Sequence, residues 1–302
     1  MAKYSYAPEL PAPGKWSDTD FADPKLRGAL RMLVRSLRDE VQAFQPPEGI
    51  SLRRETVRGW DGGEIRCFVF EPEAPGASML YCHGGGFFLP VQPGMMRLAA
   101  IYSKALTLRV FLPEYRILPE YRAPYPFRDC LSVLERILEA GDEYMLYGDS
   151  AGGAIAAGLA LWSREHGLRS ARGQCLIYPV LDDRCSRYPS MRQYSEAAWT
   201  LRNNLAMWRE YLKDGGQTPD IPLVPMRAED LSGLPKAYIE PQEIDILRDE
   251  AIAYAERLKA VGNETVLNIV KGSYHGADMN TDVPFVRSVI AKRIGIMRQM
   301  LG

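Results

Sequence analysis

Apolar residues recur at helical spacing near the start of the chain. Leu26, Leu30, Leu33, Val34, Leu37, Val41 and Phe44 share one face, which predicts a helix over 24–45. Asp23 is placed to cap it, Pro24 suits its first turn, and Pro46-Pro47 stops it. Arg35 and Arg38 fall on the opposite face, where solvation is their expected role. The period then shortens. Residues 51–60 and 64–70 read as strands around the turn Asp61-Gly62-Gly63. Further strands are expected at 78–82, 109–112, 143–147, 173–178, 236–240 and 264–270. Helices are expected at 94–106, 126–140, 151–166, 247–261 and 284–300. Strand and helix alternate from residue 78 onward, which predicts an α/β fold with a mostly parallel sheet covered on both faces. Ligands of such sheets sit at the carboxyl ends of the strands.

One stretch breaks the alternation. Residues 183–228 carry Trp199, Met207, Trp208 and Tyr211 and then a proline-rich run, too long for a plain connection. It reads as an inserted helical cap. The expected division is a catalytic domain of 49–182 and 229–302, with 1–48 and 183–228 forming the cap.

Composition narrows the function classes. The 302 residues hold 37 Lys plus Arg against 38 Asp plus Glu, a formal net charge of -1. That gives no bulk basicity for a nucleic-acid backbone. No apolar run has the length of a membrane span or a signal-peptide core, so no membrane partner is expected. The five cysteines, Cys67, Cys82, Cys130, Cys175 and Cys185, are scattered and never in C-x-x-C spacing. Reduced thiols of a cytoplasmic protein are expected, with Cys67, Cys82 and Cys175 buried in strands. No clustered ligands suggest a metal site.

The chemistry concentrates in two glycine-rich segments. Gly148-Asp149-Ser150-Ala151-Gly152-Gly153 joins a predicted strand to a predicted helix. A serine hydroxyl is a weak nucleophile until it is exposed and set beside a base. A sharp strand-to-helix turn exposes it, and small neighbours allow the tight packing that the turn demands. The helix start also offers unpaired N–H groups to a developing oxyanion. Ser150 is therefore the candidate nucleophile, and Asp149 is expected to secure the turn. The second segment is His83-Gly84-Gly85-Gly86, again after a strand. Glycines let the backbone approach a substrate closely, and preorganised N–H donors stabilise the negative oxygen of acyl transfer. Gly85, Gly86 and Ala151 are the expected donors, while His83 and Gly84 shape the loop.

On such a turn the acid and the histidine follow the serine in that order. Only His166 and His275 follow Ser150. His166 lies far along the elbow helix and reads as its polar end. His275, in Gly272-Ser-Tyr-His-Gly276, is the candidate base. The acid is sought after the strand 236–240, where Asp245 is the first choice. Glu243 nearby and Asp182 after the strand 173–178 are its rivals, and Asp249 would already be on the helix.

At these residues the chain resembles the hormone-sensitive-lipase-like branch of the α/β hydrolases. The likeness runs from about residue 65 onward. It includes His83-Gly-Gly-Gly-Phe87, Gly148-Asp-Ser-Ala-Gly-Gly153 and Glu114-Tyr-Arg-Ile-Leu-Pro-Glu120. Leu231-Ser-Gly-Leu-Pro235 and Asp245-Ile-Leu-Arg-Asp-Glu250 extend it. Pro90 departs from a usual glycine, Glu114 from an aspartate and Ile246 from a proline. The resemblance implies an α/β-hydrolase fold with a helical cap built from the N-terminal helix and the insertion. It implies hydrolysis of short- to medium-chain carboxylic esters through an acyl-enzyme, with no cofactor, and favours Asp245 over Asp182. A homodimer is also in keeping with it.

Two other activities use overlapping features. The same groups act on amides in arylformamidases and peptidases. The family's plant gibberellin receptors keep the fold but lose the histidine, which is present here. A pure interaction module would need the cap aromatics exposed as one patch. Phe88, Trp199, Met207 and Trp208 are instead the candidate lining of the substrate site.

Overall fold

The computed structural model describes residues 4–14, 23–213 and 220–302. Parts of both expected cap segments, at 1–3, 15–22 and 214–219, lie outside the described residues. The elements in order are α1 (Pro24–Gln42), β1 (Ile50–Arg58), β2 (Glu64–Pro72), β3 (Ala77–Cys82), α2 (Pro93–Leu106), β4 (Leu108–Glu114), α3 (Tyr125–Glu139), β5 (Tyr144–Asp149) and α4 (Ala151–Glu165). They continue with β6 (Gln174–Ile177), α5 (Pro189–Gln193), α6 (Leu201–Tyr211), β7 (Ala237–Glu240), β8 (Gln242–Ile244), α7 (Arg248–Ala260), β9 (Thr265–Leu267), β10 (Val270–Tyr274) and α8 (Pro284–Leu301).

Eight strands form one sheet in the order β1-β2-β4-β3-β5-β6-β7-β9. The β1–β2 and β2–β4 pairs are antiparallel, and every later pair is parallel. Side chains alternate across it as the pleat requires. Leu80, Leu146, Leu176 and Ile239 join the core beneath α3, α4 and α7. Met79, Tyr81, Met145, Tyr147, Cys175 and Ile177 join the core beneath α2 and α8. Burial on both faces explains why these strands read as nearly unbroken apolar runs. All five cysteines are free and buried. Among the described residues no helix is long and apolar enough to cross a membrane.

Two expectations need correction. The predicted strand 264–270 is two strands, β9 and β10. β9 closes the main sheet against β7, and β10 pairs instead with the three-residue β8. Pro241 between β7 and β8 has no N–H to donate, so the β7 ladder ends there. Val270 donates its N–H to the Pro241 carbonyl at 3.0 Å as the chain crosses over. The second correction is in α1. Arg38 is not simply solvated: its Nε donates to Glu114 Oε1 at 2.5 Å, and Arg66 meets the same oxygen. Leu33, placed on the apolar face, is exposed.

Between β6 and β7 the chain forms a short 3-10 turn at Cys185–Arg187, then α5, α6 and, farther on, another such turn at Pro225–Arg227. Thr200 caps α6 through a bond from the Asn203 N–H. The inward face of α6 carries Met207, Trp208 and Tyr211, all buried in the core that holds Phe87. Tyr211 stacks on Phe87 at 3.9 Å between ring centroids.

Candidate active site

Strand register assembles the site. β3 and β5 pair with Cys82 beside Gly148, so the next residues, His83 and Gly84, emerge beside Asp149 and Ser150. β8 and β10 pair with Ile244 beside Tyr274, so Asp245 and His275 emerge side by side. Segments distant in sequence thus deliver their functional residues to one end of the sheet, the carboxyl end of its parallel strands.

Ser150 occupies the turn between β5 and α4 with φ 52 and ψ -121, a strained conformation for a residue with a Cβ. The strain is held by surrounding bonds. Ser150 donates its N–H to Ile177 O, and its carbonyl accepts from Gly153 and Val180. A side chain at Gly152 would place a Cβ 1.9 Å from the Cys82 carbonyl oxygen, so only glycine permits this packing of turn against strand.

The Ser150 hydroxyl lies 2.9 Å from His275 Nε2. His275 Nδ1 lies 2.8 Å from Asp245 Oδ2. Asp245 is buried, and its other oxygen accepts from the Leu247 N–H at 3.1 Å. The rival acids are engaged elsewhere. Asp182 accepts from Arg184 and from the Tyr188 hydroxyl. Burial alone would raise the Asp182 carboxyl, but these bonds outweigh it and hold it below its ordinary value. Glu243 accepts from Lys271 and from the Gly272 N–H, and so fastens β10. Asp249 accepts from the Ser190 N–H at the start of α5. His166 stacks on Trp162 at the end of α4, away from Ser150.

The glycine loop lies against the nucleophile. Asp149 Oδ2 accepts from the Gly84 N–H at 3.1 Å and ties turn to loop. Burial, reinforced by the charge of Asp278, pushes the Asp149 carboxyl up to about 7. His83 is fully buried, with Nδ1 2.7 Å from the Gly84 carbonyl oxygen, which requires the proton on that nitrogen. Burial pushes its imidazole down to about 4. Its ring stacks on Tyr115 at 4.0 Å, and the Tyr115 hydroxyl donates to the His83 carbonyl at 2.7 Å. The Glu114-Tyr-Arg segment is thus a buttress for the loop. Gly85 and Gly86 have positive φ, 104 and 61. Among the described residues the N–H groups of Gly85, Gly86 and Ala151 donate no backbone hydrogen bond.

Ser150, His275, Gly85 and Gly86 border a cavity of about 510 Å³. Phe88, Leu89, Met95, Trp199 and Met279 give it apolar walls, and Gln92 and Asn280 add neutral polar ones. Of the four candidate lining residues, Phe88 and Trp199 face the cavity, but Met207 and Trp208 do not. The α6 face that carries the latter pair packs behind the loop, where Trp208 lies 6.4 Å from Phe87. Sequence reasoning counted residues 1–48 with the cap but singled out none of them as a wall of the site. Pro11, Ala12, Pro13 and Gly14 line the cavity as an N-terminal strap. The strap is bound to β10 by Ala7 N–H to Gly272 O and by the Tyr274 hydroxyl to Pro11 O. Tyr178 was missed as well. Its only sequence signal is its place directly after β6.

The chain is similar to known proteins in sequence and fold. A family model described as alpha/beta hydrolase fold matches residues 79–279. Lipase 2 of Moraxella sp. is 28% identical over 270 residues, covering 75% of this chain and 62% of that protein. Esterase LipI of Mycobacterium tuberculosis is 33% identical over 219 residues, covering 68% of this chain and 66% of that protein. The chain therefore spans about two thirds or less of these curated relatives. Among solved structures, a bacterial heroin esterase superposes with a TM-score of 0.82 at 30% identity, covering 99% of this chain and 98% of that one. With the model match spanning most of the sheet and every segment that borders the cavity except the N-terminal strap, the chain belongs to the alpha/beta hydrolase fold family, in its hormone-sensitive-lipase-like branch.

Proposed function

We propose that the chain is a serine carboxylesterase acting on short- to medium-chain acyl esters, with Ser150, His275 and Asp245 as its catalytic groups. One observation carries the reading: a strained serine whose hydroxyl is 2.9 Å from an imidazole that is itself 2.8 Å from a buried carboxylate. The esterase and lipase names of its relatives agree with it.

In this mechanism Ser150 Oγ attacks the ester carbonyl carbon while His275 Nε2 takes its proton. Asp245 holds the Nδ1 proton, fixes the ring and stabilises its charged form. The N–H groups of Gly85, Gly86 and Ala151 receive the oxyanion, each contributing about 3 kcal/mol toward the transition state. The carbon–oxygen bond to the alcohol breaks as His275 returns its proton to the leaving oxygen. Water then repeats the sequence, and the acyl group leaves as the acid with Ser150 restored.

The cavity supports the choice of substrate. Its walls are mainly apolar, which suits an acyl chain, and its described lining residues include no Lys or Arg to meet an anionic group. The buried, unpaired thiols support a cytoplasmic location. The test is hydrolysis of p-nitrophenyl acetate, butyrate, octanoate and laurate, with the matching anilides beside them. Turnover of the shorter esters that vanishes in Ser150→Ala is expected. Faster cleavage of the anilides would transfer the site to amide hydrolysis.

A further inference from the structure

Tyr178 holds a place at the site that the ester mechanism does not use. Ile177 pairs with Asp149 in the sheet, so Tyr178 emerges beside Ser150. Its φ of 35 is a strained value for a bulky residue. The ring is buried, lines the cavity, and lies 4.7 Å from the His275 imidazole at an interplanar angle of 56°. Its hydroxyl donates to Asp278 Oδ1 at 2.5 Å. Asp278 sits on the 3-10 turn Ala277–Met279, on the same loop as His275.

The tether continues inward. Asp278 Oδ2 accepts from Arg293 Nη1 at 3.0 Å, and Arg293 Nη2 donates to Glu240 Oε1 at 2.5 Å. Arg293 also donates to the hydroxyls of Tyr102 and Tyr147 at 2.5 and 3.0 Å. Arg293 and Glu240 are wholly buried and Asp278 nearly so. Buried ion pairs of this kind give the fold little net stability compared with apolar packing, so their value lies in fixing a geometry.

What needs fixing is the imidazole. Its hydrogen bonds to Asp245 and Ser150 lie in the ring plane, so tilting the ring out of that plane weakens both. The Tyr178 ring at 4.7 Å, with the Trp199 ring farther off at 6.1 Å, opposes that tilt. We infer that Tyr178, tethered through Asp278 to Arg293, is a positioning residue that holds the His275 ring in the plane where it meets both partners. The inference rests on the esterase reading for its kinetic consequence, though not for the contact itself.

The test is Tyr178→Phe, which keeps the ring and removes the tether, followed by Asp278→Asn and the double variant. In ester hydrolysis kcat should fall roughly tenfold in Tyr178→Phe, with KM changed less than about twofold. The double variant should be no slower than the slower single one, because both cut the same tether. Imidazole ¹H–¹⁵N NMR signals of His275 should broaden or move in Tyr178→Phe. Unmoved signals with kcat unchanged would overturn the inference, as would a rise in KM alone, which would make Tyr178 merely a cavity wall. If the wild type hydrolyses no ester, the esterase reading fails, and the NMR measurement still decides whether the tether orients His275.

Discussion

His83 and His275 each follow the end of a strand, and each borders the same serine turn, yet their surroundings divide the chemistry between them. His83 is sealed. Its Nδ1 is committed to the neighbouring Gly84 carbonyl, its Nε2 meets no partner among the described residues, and Tyr115 covers its face. Burial pushes it down to about 4, so it remains neutral at physiological pH. His275 is partly open to the cavity, with one nitrogen on a buried carboxylate and the other on a hydroxyl. A histidine acts as a base when one nitrogen is oriented by an acid and the other faces a proton to take. One that uses a nitrogen on its own loop, with the other facing nothing, is a structural part.

The largest test of that contrast is substitution of each histidine. His275→Ala should lower kcat by about 10⁴-fold or more in steady-state ester hydrolysis. His83→Phe should lower it by roughly 10- to 100-fold, through a displaced glycine loop, with Ser150 still reactive. Equal losses would dissolve the distinction.

The acids sharpen it next. Asp245→Asn should cost about 10⁴-fold in kcat, because the imidazole loses its orienting partner. Asp182→Asn should leave kcat within about tenfold while lowering stability by roughly 1–3 kcal/mol, since Arg184 and the Tyr188 hydroxyl lose an ionised acceptor. Denaturant melts beside the kinetics separate the two. A collapse of activity in Asp182→Asn with Asp245→Asn unaffected would reverse the assignment.

The smallest effect is on the pH dependence of stability. His83 is lowered from 6.5 to about 4, so between those values the unfolded chain holds more protons, and this part of the stability is lost as pH falls. Asp149 is raised from 3.8 to about 7, so the folded state holds more protons there, and its part is lost as pH rises. Each contribution is on the order of 3 kcal/mol, and between about pH 4 and 6.5 they oppose one another. Asp149→Asn should expose the His83 slope, with urea melts weakening on acidification. His83→Phe should expose the opposite slope. Parallel curves for the two variants would refute the pairing.

Much of this was legible in the sequence because it is local. The glycines at 84–86 and 148–153, the strand before each and the helix after Ser150 are contiguous signals of backbone geometry. Chain order set His83 aside, and the place of His166 far along the elbow helix left His275. What escaped depends on pairing between distant segments. β8 is three residues long, and its partner β10 contains Gly272 at φ 67, so neither carries a periodic signal. Yet their register sets Asp245 beside His275. The strap at residues 11–14 has no pattern of its own and takes its place from bonds to β10. Met207 and Trp208 are aromatic or apolar residues of the inserted segment, as a pocket lining would be, but composition does not reveal which way a helix faces. Tyr178 differs again: its strained φ and its hydroxyl partner on another loop exist only in the assembled fold.

The most direct test of the central claim is covalent. A fluorophosphonate reacts with a serine that an adjacent base has activated, and the modified peptide can be mapped by mass spectrometry. The account predicts one label on Ser150, absent in Ser150→Ala and strongly slowed in His275→Ala. A label on another residue, or undiminished labelling of Ser150 without His275, would contradict it.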